Sequence, residues 1–162
     1  MSPAPSSRHQ VISSEFLRYF LIYFKRDSPC KVLSAPFDVR LLDVKKSSQA
    51  NKDIYTVVQP DISVICDKTK LDEQGCIGAP DLIIEILSPG NSKKEMKTKY
   101  ALYEESGVLE YWIVYPSEQV LQQFILDEKE KYTLKNSFAE DEVFYAHIFP
   151  ELSIDLAEIF AE

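Results

Sequence analysis

The sequence predicts an α/β (α+β) fold in which a mixed central β-sheet is flanked by helices. Three observations carry this. An early segment repeats apolar residues at helical spacing, and several later runs alternate or stay apolar as strands do. A capped helical segment then separates two strongly apolar strands, which suggests that those two run parallel.

In order along the chain, residues 9–25 read as a helix, with Ile12, Phe16, Phe20 and Phe24 four apart and Leu17 and Leu21 widening the stripe. "DSPCKV" breaks it. "FDVRLL" alternates Phe37, Val39 and Leu41 with Asp38 and Arg40, the pattern of a half-buried strand. "DVKKSSQANKD" reads as a polar loop or hairpin tip, "YTVVQPDISVIC" as a β-rich run, and "DKTKLDEQGCIGA" as a connection. "PDLIIEIL" is apolar on both faces, as a central strand is. Ser92 and Glu95 then form a Ser-x-x-Glu capping box for a helix that Gly107 ends. "VLEYWIVYP" is a further strand, "QVLQQFIL" and "KYTL" a hairpin, and "FPELSIDLAEIF" a closing amphipathic helix. Trp112 is read as core, as are the aromatic residues of the first helix.

At 162 residues, 45% apolar and 27% charged, the chain is sized for one domain, 1–162, whose core needs neither disulfide nor structural metal. A net charge of −8 weighs against indiscriminate adhesion to nucleic acid or anionic membrane, so a nucleic-acid substrate demands a local basic patch. Cys30, Cys66 and Cys76 contain no Cys-x-x-Cys pair, and His9 and His147 are the only histidines. Free buried thiols in a reducing cytoplasm are therefore expected, rather than a zinc cage or a disulfide framework. The start, "MSPAPSSRHQ", is polar, and residues 1–8 are expected to be flexible. "FLRYFLIYF" is too short and too interrupted to span a bilayer.

The chemistry concentrates in "PDLIIEILSPGNSKKEMKTK". Asp81, Ile83, Glu85 and Leu87 share one strand face, and the preceding strand carries Pro60-Asp61. If those strands are neighbours, Asp61 and Glu85 converge, and their mutual repulsion calls for a cation. Magnesium suits such a pair, because it takes oxygen ligands and needs only one or two carboxylates. Lys93, Lys94, Lys97 and Lys99 open the following helix. Lys99 shares a partly apolar face with Glu95 and Tyr103 and leans inward, whereas Lys93, Lys94 and Lys97 are solvated and available to a phosphate backbone.

Plainer roles compete at each position. Asp61 and Glu85 also suit strand-end hydrogen bonds, and Asp81 beside Pro80 suits a turn cap. Lys99 also suits an ion pair with Glu95. His9 is placed at a helix start, where capping or surface exposure is favoured over chemistry, and Glu15 is a further helix-borne acid available to the site.

Both Pro-Asp pairs, "FDVRL", "KYALYEESGVLEYW" and "FPELSIDLAEIF" together resemble the bacterial Uma-two family of endonucleases, within the PD-(D/E)xK nuclease superfamily. The resemblance implies a restriction-endonuclease-like fold and a Mg²⁺- or Mn²⁺-dependent nuclease that acts on DNA, often as a homodimer; apolar edge strands near "QFIL" would allow pairing. It implies that Asp61 and Glu85 hold metal and that Lys99 assists the attacking water, with Asp81, Glu95, Lys97 and His9 as secondary candidates. Three departures stand out. Leu87 occupies the position of the superfamily's lysine, Glu95 replaces a common aspartate, and Tyr115 interrupts "VDP". Relatives also carry an upstream Tyr-Glu-Leu-x-x-Gly segment that this sequence begins too late to include. The alternative function is a nuclease-like scaffold that has lost catalysis and serves binding or assembly.

Overall fold

The computed structural model describes residues 4–162, so part of the stretch expected to be flexible, residues 1–3, lies outside the described residues. Helix α1 is Ser7–Tyr23, capped by the Ser6 hydroxyl, which accepts from the His9 amide. Strands β1 (Lys31–Ser34) and β2 (Val39–Leu42) follow, then a short helix α2 (Val44–Ala50) and strands β3 (Tyr55–Val58) and β4 (Ile62–Ile65). A small hairpin, β5 (Leu71–Asp72) and β6 (Gly75–Ile77), precedes β7 (Leu82–Ile86). Helix α3 (Lys93–Ser106) leads to β8 (Glu110–Tyr115), β9 (Val120–Leu126) and β10 (Tyr132–Ala139). β11 (Val143–Tyr145), β12 (Ser153–Asp155) and α4 (Leu156–Ile159) complete the order.

The main sheet runs β1-β4-β7-β8-β9-β10. Only the β7–β8 pair is parallel in it, joined by α3 as the capped helix between two apolar strands required. Alternation along β7 sends Leu82, Ile84 and Ile86 to one face and Ile83 and Glu85 to the other. The first face packs on Ile12, Phe16 and Phe20 of α1 around Trp112. The second packs on Tyr103 of α3 and on Val39, Leu41 and Cys76 of a second sheet, β3-β2-β6-β5. The mixed sheet between helices is thus as expected.

Several local expectations are corrected. "YTVVQPDISVIC" is not one strand: β3 and β4 belong to different sheets, and the chain changes sheet at Gln59-Pro60-Asp61, where proline has no amide to continue a ladder. The segment at 43–53 does join the antiparallel pair β2 and β3 as a hairpin tip, but it holds α2, capped by Asp43, and the connection at 67–79 holds the β5–β6 hairpin. Glu95 takes the amide of Asn91 instead of closing its capping box, although Ser92 does cap the Glu95 amide. The closing segment is a strand followed by one helical turn. "QFIL" lies in β9, inside the sheet; the edge is β10, which is polar and irregular around Lys135. Cys30 and Cys66 form a disulfide, because β1 pairs with β4 with Lys31 opposite Ile65 and so sets the two cysteines face to face. Only Cys76 is a free buried thiol. No helix among the described residues is long and apolar enough to cross a membrane.

Tyr19 ties α1 to the start of α4, donating to Glu158 Oε1 and accepting from the Asp155 amide. Desolvation, with the Glu158 bond second, pushes its phenol from 10.0 up to about 12. The fold therefore holds this proton more tightly than the unfolded chain does. The associated stability is complete below pH 10 and is lost as pH rises towards 12. Thermal melts across that window should show a decline that is shallower in Tyr19→Phe; an identical slope in the variant would refute the assignment.

Candidate active site

Antiparallel pairing of β4 with β7 sets Ile62 opposite Ile84, and this register brings Asp61 alongside Glu85 and Ile86. The two acids are locked to each other's backbone. The Asp61 amide donates to Glu85 Oε1 at 3.1 Å, and the Ile86 amide donates to Asp61 Oδ2 at 2.7 Å. The strand break at Pro60 has a purpose here, since it frees the Asp61 amide from a ladder and turns it to Glu85.

Helix α3 supplies the counter-charge. Its Ser92 cap and its Gly107 terminus, at φ 88°, fix its extent, and the i to i+4 spacing brings Lys99 and Tyr103 onto one face. Lys99 Nζ lies 2.8 Å from Glu85 Oε2, and the Tyr103 hydroxyl donates to the same oxygen at 3.0 Å. From the opposite side, α1 delivers His9, whose Nε2 is 3.2 Å from Asp61 Oδ1.

Glu85 is only 3% exposed. Burial pushes its carboxyl up from the ordinary range, while the Lys99 ammonium pulls it down. Burial is the largest single influence on Lys99 and pulls it down, but the charge and hydrogen bond of Glu85, with the charges of Asp61 and Glu95, together outweigh it, and the amine ends above its usual value. Lys99 is therefore a cation at neutral pH. His9 is raised chiefly by its bond to Asp61, against the opposing cost of burial. Its Nδ1 is buried without a hydrogen-bond partner.

These groups line an open cavity of about 570 Å³. Asp61, Glu85, Lys99 and His9 line it together with Gln59, the Ser88–Asn91 turn and Glu95. Among the described residues no group of three or more His, Cys, Asp and Glu side chains is disposed to hold a metal ion. Two carboxylates facing an open cavity are nonetheless the hard oxygen donors that magnesium takes, water completing its shell.

Asp61, Glu85, Lys99, His9 and Glu95 thus meet at one cavity, and the other candidates do not. Asp81 accepts from the Cys66 amide at 2.7 Å, a bond to the neighbouring strand's end and not the turn cap that competed for it. Lys97 is exposed outside the cavity, as are Lys93 and Lys94. Glu15 pairs with Arg18 instead of reaching the site. His9, a secondary candidate for which capping or surface exposure was favoured, is buried against Asp61 because α1 packs across β7. Tyr103 was placed on the Lys99 face by its spacing but given no role there. Gln59 and Asn91 carried no periodic signal.

A mixed sheet flanked by helices, with Asp61 just before β4, Glu85 on the adjacent β7 and Lys99 on the crossover helix, is the architecture of a restriction-endonuclease-like fold. The chain belongs to the Uma2 family, described as "Putative restriction endonuclease", whose model matches residues 1–157. It is similar to a "putative nuclease belonging to DUF820" from Anabaena variabilis ATCC 29413, known from a crystal structure. That likeness has a TM-score of 0.72 at 21% identity, over 99% of this chain and 84% of that one. A search of curated proteins finds no match.

Proposed function

We propose that the protein is an endonuclease that hydrolyses DNA phosphodiester bonds with Mg²⁺ or Mn²⁺ held by Asp61 and Glu85. The observation that carries this reading is the meeting of Asp61, Glu85 and Lys99 at one open cavity. When bound, the metal supplies Lewis acidity towards the phosphoryl oxygens and the attacking water. Asp61 and Glu85 would be its ligands, each already oriented by the other's backbone. Lys99, a cation at neutral pH, cannot accept a proton from water; it orients that water and offsets the charge that grows on the phosphate. His9 holds Asp61 in place, and Tyr103 holds Glu85. The exposed lysines at 93, 94 and 97 supply the local attraction that the net charge of −8 demands. The same reading includes one domain over 1–162, a homodimer, and a cytoplasmic location, which rests on the substrate and not on the cysteines.

A second reading, a scaffold without catalysis, has its own support. All four oxygens of Asp61 and Glu85 already face protein donors, and Leu87 stands where the superfamily has lysine. Calorimetry with Mg²⁺ and Mn²⁺ and plasmid cleavage separate the two. The nuclease reading expects metal-dependent nicking, lost in Glu85→Gln together with the binding heat. No heat at millimolar metal, or cleavage unchanged in Glu85→Gln, would reject it.

A further inference from the structure

The second sheet, β3-β2-β6-β5, has one face packed on the core and one turned outward. Val39, Leu41 and Cys76 point inward and are fully buried. On the outer face the registers set Leu42 beside Tyr55, and Arg40 between Val57 and Ile77. A face turned to water ordinarily carries polar residues. Here Leu42, Tyr55, Val57 and Ile77 form an apolar group, each 37% to 54% exposed.

This face is also polarised along its strands. Past the C-terminal end of β2, α2 and the residue after its cap bring the exposed Lys45, Lys46 and Lys52, which outnumber Asp43 and Asp53. At the other end, where β5 turns into β6, stand the exposed Asp72 and Glu73. Arg40 pairs with Asp72 and leaves Glu73 unmatched.

We propose that this face is the contact between two copies of the chain, stacked about a two-fold axis that lies between the sheets and crosses their strands. That operation reverses strand direction in the second copy, so the lysine end of each meets the acidic end of the other. The complementarity matters because two chains of net charge −8 otherwise repel. A nucleic acid would be repelled by Asp72 and Glu73, and an uncharged apolar segment would leave both charged ends unanswered. The contact gives a place to the homodimer included in the proposed function, but it does not depend on metal binding or cleavage, because none of its residues lines the cavity.

Light scattering across a dilution series tests it, the expected mass being twice 18.6 kDa. Val57→Glu should raise the dimer dissociation constant by roughly tenfold or more. Circular dichroism should show the variant folded, since Val57 points to solvent. Lys46→Glu and Glu73→Lys should each weaken the dimer, and the two combined in one chain should restore it. A wild type that stays monomeric throughout, or a dimer indifferent to all these variants, would overturn the proposal.

Discussion

On the nuclease reading, Lys99→Ala is expected to separate metal binding from cleavage. Lysine is not a ligand, and its ammonium competes with any metal for Glu85 Oε2, 2.8 Å away. Removing it should leave Mg²⁺ affinity undiminished or stronger, because Glu85 then sits 3% exposed with its nearest cation gone. Cleavage should nevertheless fall by about 100- to 1,000-fold, the range for losing one preorganised group that stabilises transition-state charge. In chelator the variant should also melt earlier than wild type, and metal should recover the difference by binding only the folded state. The stability loss is smaller than for a fully buried pair, since the lysine side chain is 38% exposed. Lys99→Arg, which keeps the charge but spreads it over a planar fork, should regain part of the rate. Calorimetry and single-turnover cleavage on the same preparations decide the matter. A parallel loss of affinity and rate would make Lys99 a structural support for the metal site and remove its role in the chemical step.

What could be read in the sequence follows the range of the forces involved. Asp61 and Glu85 were legible because acids at strand ends inside apolar runs need an explanation that burial energetics makes pressing. Lys99 was legible because helical phase alone put it on the inward face with Tyr103. The hydroxyl of Tyr103 was not assigned to Glu85, since that depends on how α3 lies across the sheet. His9 was misjudged for the same reason: nothing local reveals that α1 crosses β7 at its first turn. The Cys30–Cys66 bridge depends on the register of β1 against β4, and β1 itself, four residues without alternation, gave no periodic signal. The helix α2 and the β5–β6 hairpin bury too few apolar side chains to leave a pattern. The outward face of β2 was legible in part, because Arg40 alternates as a solvent-facing residue should. Leu42, Tyr55 and Val57 break that rule only once β3 is known to lie beside β2.

Glu110→Ala is expected to be strongly destabilising. The residue sits at the start of β8, fully buried, in a segment that reads as a plain apolar strand. Its carboxylate gathers four donors: Trp112 Nε1 at 2.7 Å, Gln123 Nε2 at 2.8 Å, and the amides of His147 and Ile148 at 2.9 to 3.1 Å. Those two amides belong to the irregular segment between β11 and β12, which lacks a sheet partner of its own there. Glu110 thus replaces secondary structure as the hydrogen-bond partner of this backbone and fastens the C-terminal segment to the sheet. Truncation would strand several buried donors at about 1–3 kcal/mol each, only partly relieved by entering water. A loss of about 3 kcal/mol or more should appear in urea denaturation. Glu110→Gln keeps the shape but turns one acceptor into a donor facing donors, and should cost less than alanine but more than a typical surface change. The site is reached only indirectly, through Trp112 packing on Phe16 and Phe20 of the helix that carries His9. Metal affinity of the folded glutamine variant should therefore stay within a few-fold of wild type. A glutamine variant as stable as wild type would show that the charge is dispensable, and an unaffected alanine variant would remove Glu110 as the fastening.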